Sequence, residues 1–253
     1  MPLPIKLMNL QSSDQGSARL ARTYFGRTPW PDDLNPLLRT RPSLLEAYLK
    51  LSSVPWQSGQ LSPRLRELIY VAVDAVPQQF YPEGIRLHTA AAYRAGACES
   101  DVVSAISIAA LVVFEGPIRA FRELGTAPSE SHIYGEGIRD RYAKTRGVWD
   151  NRLDSLLANY PELASAWVEV IETTFGPDCS LTPLECELVY VACLAASNSS
   201  SDAFHLPFAQ ARSHGASTEM IHEAVGLAAP LGMHVLVKAL PESGLSRQNL
   251  GSQ

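Results

Sequence analysis

Glu67, Tyr70 and Asp74 stand at i, i+3 and i+7 in PRLRELIYVAVDAV, a run whose other central residues are apolar. On a helix these positions share one face. Carboxylates are costly to bury alone among apolar residues, so they pair, face a cavity or take up protons. His88 follows in FYPEGIRLHTAAAYRAGA, with Tyr81, Glu83 and Arg86 just upstream. A carboxylate can orient an imidazole and tune it for proton transfer near neutrality, which makes Glu67 and His88 a candidate acid–base pair. Arg86 is a candidate to hold a substrate carboxylate or to meet negative charge developing in a transition state. Tyr81, Tyr70, Asp74 and Glu83 are candidates to line the pocket. The competing reading is purely structural: Arg64, Arg66 or Arg86 neutralises the acids in an ion-pair network, and His88 packs on an alanine-rich helix.

The chain carries its own comparison. Leu61–Ala72 reads LSPRLRELIYVA and Leu181–Ala192 reads LTPLECELVYVA, identical at seven of twelve positions. LNPLLRTRPSLLEAYLKL from Leu34 likewise matches LDSLLANYPELASAWVEV from Leu153, and Gly96 matches Gly215. A repeat of this length means two copies of one supersecondary unit. Glu67 and Tyr70 recur as Glu187 and Tyr190, but Leu194 replaces Asp74, Pro207 stands at the His88 position and His205 at that of Arg86. The first copy therefore holds the fuller acid–base set, and Glu187 with His205 is the candidate pair for a diverged second pocket.

The elements that must position these residues read as helices throughout. Ser62-Pro63 and Thr182-Pro183 place an N-cap before a proline at the first helical position, and Thr182 with Glu185 has capping-box spacing. Pro42 and Pro161 are expected to open helices. The runs LIYVAVDAV and LVYVACLAA are apolar on nearly every face, as buried central helices are. Gly96 and Gly215 suit left-handed C-caps. No segment alternates as a strand between turn signals. The expected class is all-α, with roughly five helices per copy. The expected organisation is an N-terminal extension (1–29), a first repeat (30–125) holding the active pocket, a linker (126–149) that ends in a short helix, a diverged second repeat (150–240) and a tail (241–253).

Composition narrows the function classes. The 253 residues carry a net charge of −5, so no basic field invites nucleic acid. No apolar run is long enough to span a membrane, and the N-terminus lacks the apolar core of a secretory signal. The four cysteines, Cys98, Cys179, Cys186 and Cys193, include no CxxC and read as reduced thiols of a cytoplasmic protein. Without HxxxH or HExxH no metal site is indicated, and without GxSxG, GxGxxG or a P-loop no cofactor is expected.

At Arg66-Glu67-Leu68, then His88, Ala92, Gly96-Ala97 and Glu99, the chain resembles the carboxymuconolactone decarboxylase family, which includes the alkylhydroperoxidase D-like proteins. The pattern is a helix opening with an (R)EL apolar run, a short gap, H-x-x-x-A-x-x-x-G-A and an acidic helix start, and the resemblance extends over both copies. The peroxidase branch adds a CxxC pair whose second cysteine precedes the histidine by four residues; those positions are Tyr81 and Gly84 here. Without thiolates at those positions this site has no nucleophile to reduce a peroxide, so the resemblance implies the decarboxylase branch and sets the thiol peroxidase aside. It further implies a cofactor-independent lyase, with His88 transferring the proton and Glu67 orienting it on a small acidic or oxygenated cyclic substrate. It also implies a homotrimer that completes a six-repeat ring. The alternatives are an isomerase of the same fold and a non-catalytic small-molecule-binding scaffold, for which loss of the cysteines and of one histidine would be decay. Acquisition of Asp74 and Arg86 argues against decay.

Overall fold

A computed structural model describes residues 34–125 and 132–244, excepting the side chains of Ser58 and residues 132–135. The proposed extension 1–29 and most of the tail 241–253 lie outside the described residues. Among the described residues there are helices and no strands: α1 (Asn35–Thr40), α2 (Pro42–Ser58), α3 (Pro63–Ala75), α4 (Pro82–Arg94), α5 (Glu99–Ala110), α6 (Glu115–Leu124), α7 (His132–Arg146), α8 (Asp154–Asn159), α9 (Pro161–Thr174), α10 (Pro183–Ala196), α11 (His205–Ser213), α12 (Thr218–Gly226) and α13 (Gly232–Glu242).

The repeat is visible in where helices begin. Asn35 and Asp154, Pro42 and Pro161, Pro63 and Pro183, and Glu99 and Thr218 open equivalent helices. Each copy has six helices, not five. The extra one is the six-residue helix before Pro42 or Pro161, a stretch short enough to read as an apolar turn in the sequence. The break comes from the residue before proline, which is driven out of the α region: Arg41 sits at φ −141°, ψ 57° and Tyr160 at φ −150°, ψ 71°. Ser62 accepts the amide of Leu65, and Thr182 and Glu185 form the reciprocal capping box. Gly96 and Gly215 take φ of +95° and +92°, where a Cβ would be strained.

Residues 58–228 form one compact unit. Its centre is α3 against α10. Helices α4 and α5 pack on α3, and α11 and α12 pack on α10 in the same manner. Both central helices are buried along most of their length, which is why their sequences carry apolar residues on every face. Polar ties also cross between the copies. Arg64 of α3 reaches Asp101 of its own copy at 2.9 Å and Glu185 of the other at 2.7 Å. Glu223 of α12 pairs with Arg66 and accepts the backbone amides of Gln60 and Leu61.

The described residues 34–57 and 229–244 belong to a second compact unit. There Leu34, Leu37, Leu45 and Leu49 pack with Met233, and Tyr48, Leu236 and Leu240 lie against that cluster. One expectation from hydropathy needs correction. Two continuous helical stretches, Glu99–Leu124 and Thr218–Glu242, are long and apolar enough by length and composition to cross a bilayer. Short 3-10 turns at Leu111–Phe114 and Ala229–Leu231 join consecutive α-helices into these lengths. More than half of the first stretch's most apolar window is buried inside the protein, as for a core helix.

Candidate functional site

Helix α3 presents Glu67, Tyr70 and Asp74 toward α4, and α4 returns His88 to them. The Oε2 of Glu67 lies 2.8 Å from Nδ1 of His88. Glu67 is 3% exposed, while the His88 side chain keeps 22% of its surface accessible. The rings of Tyr70 and His88 stack with centroids 4.5 Å apart and planes 22° from parallel. The imidazole is thus fixed by a hydrogen bond at one nitrogen and by an aromatic face on its plane. With Glu67 ionised, Nδ1–H donates to the carboxylate, and Nε2 is the nitrogen that can exchange a proton with a substrate.

Asp74 is fully buried, one turn further along α3. Its carbonyl accepts the amide of Tyr81 at 2.8 Å, which fixes the start of α4. Its carboxylate fills the space beside Gly84. A Cβ on Gly84 would lie 2.0 Å from Asp74 Oδ2 and 2.5 Å from Tyr81 Cδ1, so only glycine lets α4 approach α3 this closely. Glu83 and Arg86 are exposed and pair with each other at 2.9 Å on the outer face of α4. The structure therefore brings together Glu67, Tyr70 and His88, places Asp74 and Tyr81 next to them at the α3–α4 contact, and leaves Glu83 and Arg86 facing outward.

The second copy is built differently at the same positions. Glu187 is gripped by Arg146, at the end of α7, through two hydrogen bonds of 2.5 and 2.9 Å. Both residues are buried. The Arg146 guanidinium also lies 4.0 Å over the ring of Phe175, which meets Tyr190 edge-on. His205 is exposed at the first position of α11. A narrow cavity opens here, lined among others by Glu115, Tyr142, Arg146, Arg152, Tyr190 and Pro207, the residue at the His88 position. Arg152 bridges Asp150 at 2.7 Å and Glu115 at 2.9 Å.

Burial pushes the phenols of Tyr142 and Tyr190 far above the ordinary tyrosine range, so both stay protonated. Burial also raises Glu115, and the charge of Arg152 only partly offsets this. Arg152 is held above its ordinary value: burial opposes its charge but is outweighed by the hydrogen bonds and charges of Asp150 and Glu115. These groups form a closed ion-pair cluster with no imidazole among them. Sequence reasoning passed over Arg146, Arg152, Glu115 and Tyr142. The available signal was basic residues near the end of 126–149, next to a repeat whose glutamate had lost its histidine. Among the described residues no group of three or more His, Cys, Asp or Glu is arranged to hold a metal ion.

Residues 42–126 match the family model of the carboxymuconolactone decarboxylases, and this segment contains Glu67, Tyr70, Asp74 and His88. The segment belongs to the carboxymuconolactone decarboxylase family. A crystal structure from Burkholderia xenovorans LB400, described as a candidate gamma-carboxymuconolactone decarboxylase subunit, superposes with a TM-score of 0.79. It covers 94% of this chain and 100% of its own at 22% identity, so the shared property is the fold, across both repeats. Comparison with curated proteins finds no match.

Proposed function

We propose that the chain is a cofactor-independent decarboxylase of a small acidic or oxygenated cyclic substrate, with one working centre at His88. The observation that carries this reading is the 2.8 Å contact between Glu67 and a partly exposed His88, inside the family-matched segment. In the proposed reaction the substrate carboxylate leaves as carbon dioxide, and its bonding electrons remain on the ring carbon as an enolate. The His88 imidazolium then delivers its Nε2 proton to that carbon, and Glu67 stabilises the charged ring through Nδ1–H. Tyr70, stacked on the imidazole, fixes the plane of the ring. We also propose that the chain works as a homotrimer. Val103, Ile106 and Val113 are exposed along one side of α5 and its extension, a face suited to a second copy.

The test is decarboxylation of gamma-carboxymuconolactone, the compound in the name of the structural relative, by the purified chain. Carbon dioxide release that falls with His88→Gln supports the proposal. Full turnover by that variant would falsify the role of His88. Light scattering in solution tests the trimer, and a stable monomer overturns it.

A further inference from the structure

We infer that Cys179 and Cys186 form a reversible intrachain disulfide when the protein meets a hydroperoxide, at a site separate from the His88 centre. Their sulfurs lie 3.4 Å apart, at neighbouring levels of the α9–α10 turn and the first turns of α10. Both partners are held in place. Cys186 sits on α10 and is anchored toward the Leu181 carbonyl at 3.7 Å. Cys179 lies in a turn whose shape is set on both sides. Its amide donates to the Gly176 carbonyl at 3.0 Å, and Gly176 admits no Cβ, which would fall 2.4 Å from the Glu172 carbonyl oxygen. Ser180, the next residue, is pinned to α5 by hydrogen bonds to Asp101 at 2.8 Å and Ser104 at 3.2 Å. The turn therefore presents Cys179 to Cys186 without any need for refolding.

The two thiols differ in access, which sets the order of events. Cys179 is half-buried, while Cys186 is buried and burial pushes its thiol up. Cys179 is then the sulfur that meets the oxidant. Its thiolate attacks the outer oxygen of the hydroperoxide, giving the sulfenic acid and an alcohol. The Cys186 sulfur attacks that sulfenic sulfur, and its proton leaves with the hydroxyl as water. In sum two thiols and one hydroperoxide give one disulfide, one alcohol and one water. Cys193 is fully buried further along α10, and Cys98 is exposed at the N-cap of α5 with its sulfur against the Ser100 hydroxyl, so neither shares the Cys179–Cys186 contact. Closing the bond would tie the turn that carries Phe175 to the helix that carries Glu187, and so clamp the Arg146 cluster.

The experiment treats the folded full-length protein with hydrogen peroxide, counts free thiols and maps the product after cleavage at glutamates. Glu172, Glu185 and Glu187 place Cys179 and Cys186 on different fragments. The expected result is loss of two of the four thiols, a linked fragment pair and full recovery with dithiothreitol. Cys179→Ser and Cys186→Ser each abolish the link, whereas Cys98→Ser and His88→Gln retain it. All four thiols left free, over-oxidation of Cys179 without a link, or a link through Cys98 or Cys193 would each overturn the inference. Retention in His88→Gln separates this result from the fate of the decarboxylase proposal.

Discussion

Arg146 holds the Glu187 carboxylate through both terminal guanidinium nitrogens, at the position in the second repeat where Glu67 meets His88 in the first. One glutamate, retained in both copies, serves a titratable ring in one and a permanent cation in the other. Arg146→Ala strips the only counter-charge this bond supplies to a carboxylate that is 2% exposed. The expected cost is about 3–5 kcal/mol, read as a lowered urea midpoint. The double variant Arg146→Met/Glu187→Leu is expected to recover most of that loss, because it removes both desolvation costs together. A double variant as unstable as the single one would mean that the pair itself is not the issue.

Replacing His88 by Gln is expected to lower kcat for decarboxylation by about 100- to 10,000-fold, the range of a general acid–base contribution. Glu67→Gln keeps the shape but loses the charge that supports the imidazolium, so a smaller fall is expected, with the pH optimum displaced. Steady-state kinetics across pH, with circular dichroism to establish folding, checks both. Equal rates for the Glu67 variant and wild type at every pH would remove Glu67 from the mechanism.

Acid sensitivity should report on Asp101. Burial raises its carboxyl, but hydrogen bonds from the Cys98 amide, Ser180 and Arg64 together with the Arg64 charge outweigh burial and hold it below the ordinary 3.8. A depressed folded value stabilises the protein above 3.8 and loses that contribution as pH falls through the folded value. Asp101→Asn is therefore expected to cost about 1.5–3 kcal/mol near neutrality. The gap to wild type should close in strong acid. Urea melts at a series of pH values measure this, and a gap that stays constant or widens in acid contradicts it.

Gly84→Ala drives a methyl group into the Asp74 carboxylate and the Tyr81 ring. Overpacking of this kind is expected to cost about 1–3 kcal/mol in thermal unfolding. Shortening Asp74 to Ala in the same chain should return part of it, since the nearest clash is with that side chain. Absence of any rescue would place the strain at Tyr81 instead.

The helix starts were readable because their signals are local. Ser62-Pro63, Thr182-Pro183 and the two glycines each act within one turn of chain, and the duplication repeated them. The Glu67–His88 encounter is longer in range but was legible from residue chemistry and the family resemblance. Arg86 lies on another face of α4. It is two residues from His88, and on a helix such neighbours face different ways; it is exposed and bound to Glu83. Arg146 was out of reach because it lies between the repeats, 41 residues before its partner. No periodicity relates a linker residue to a glutamate on a central helix; only the packing of α7 does.

Arg64 tied to Glu185, and Glu223 holding Arg66 with the amides of Gln60 and Leu61, give the duplication a direction. Each copy now keeps the other's counter-ions, and the second caps loose backbone of the first. A half-length chain would expose these charges and would have no twin with the right partner at the right place. Two such halves could not simply reassemble as interchangeable subunits. What began as two copies of one unit has become a pair of dissimilar parts, and the gene that encodes them can no longer be cut in the middle without loss.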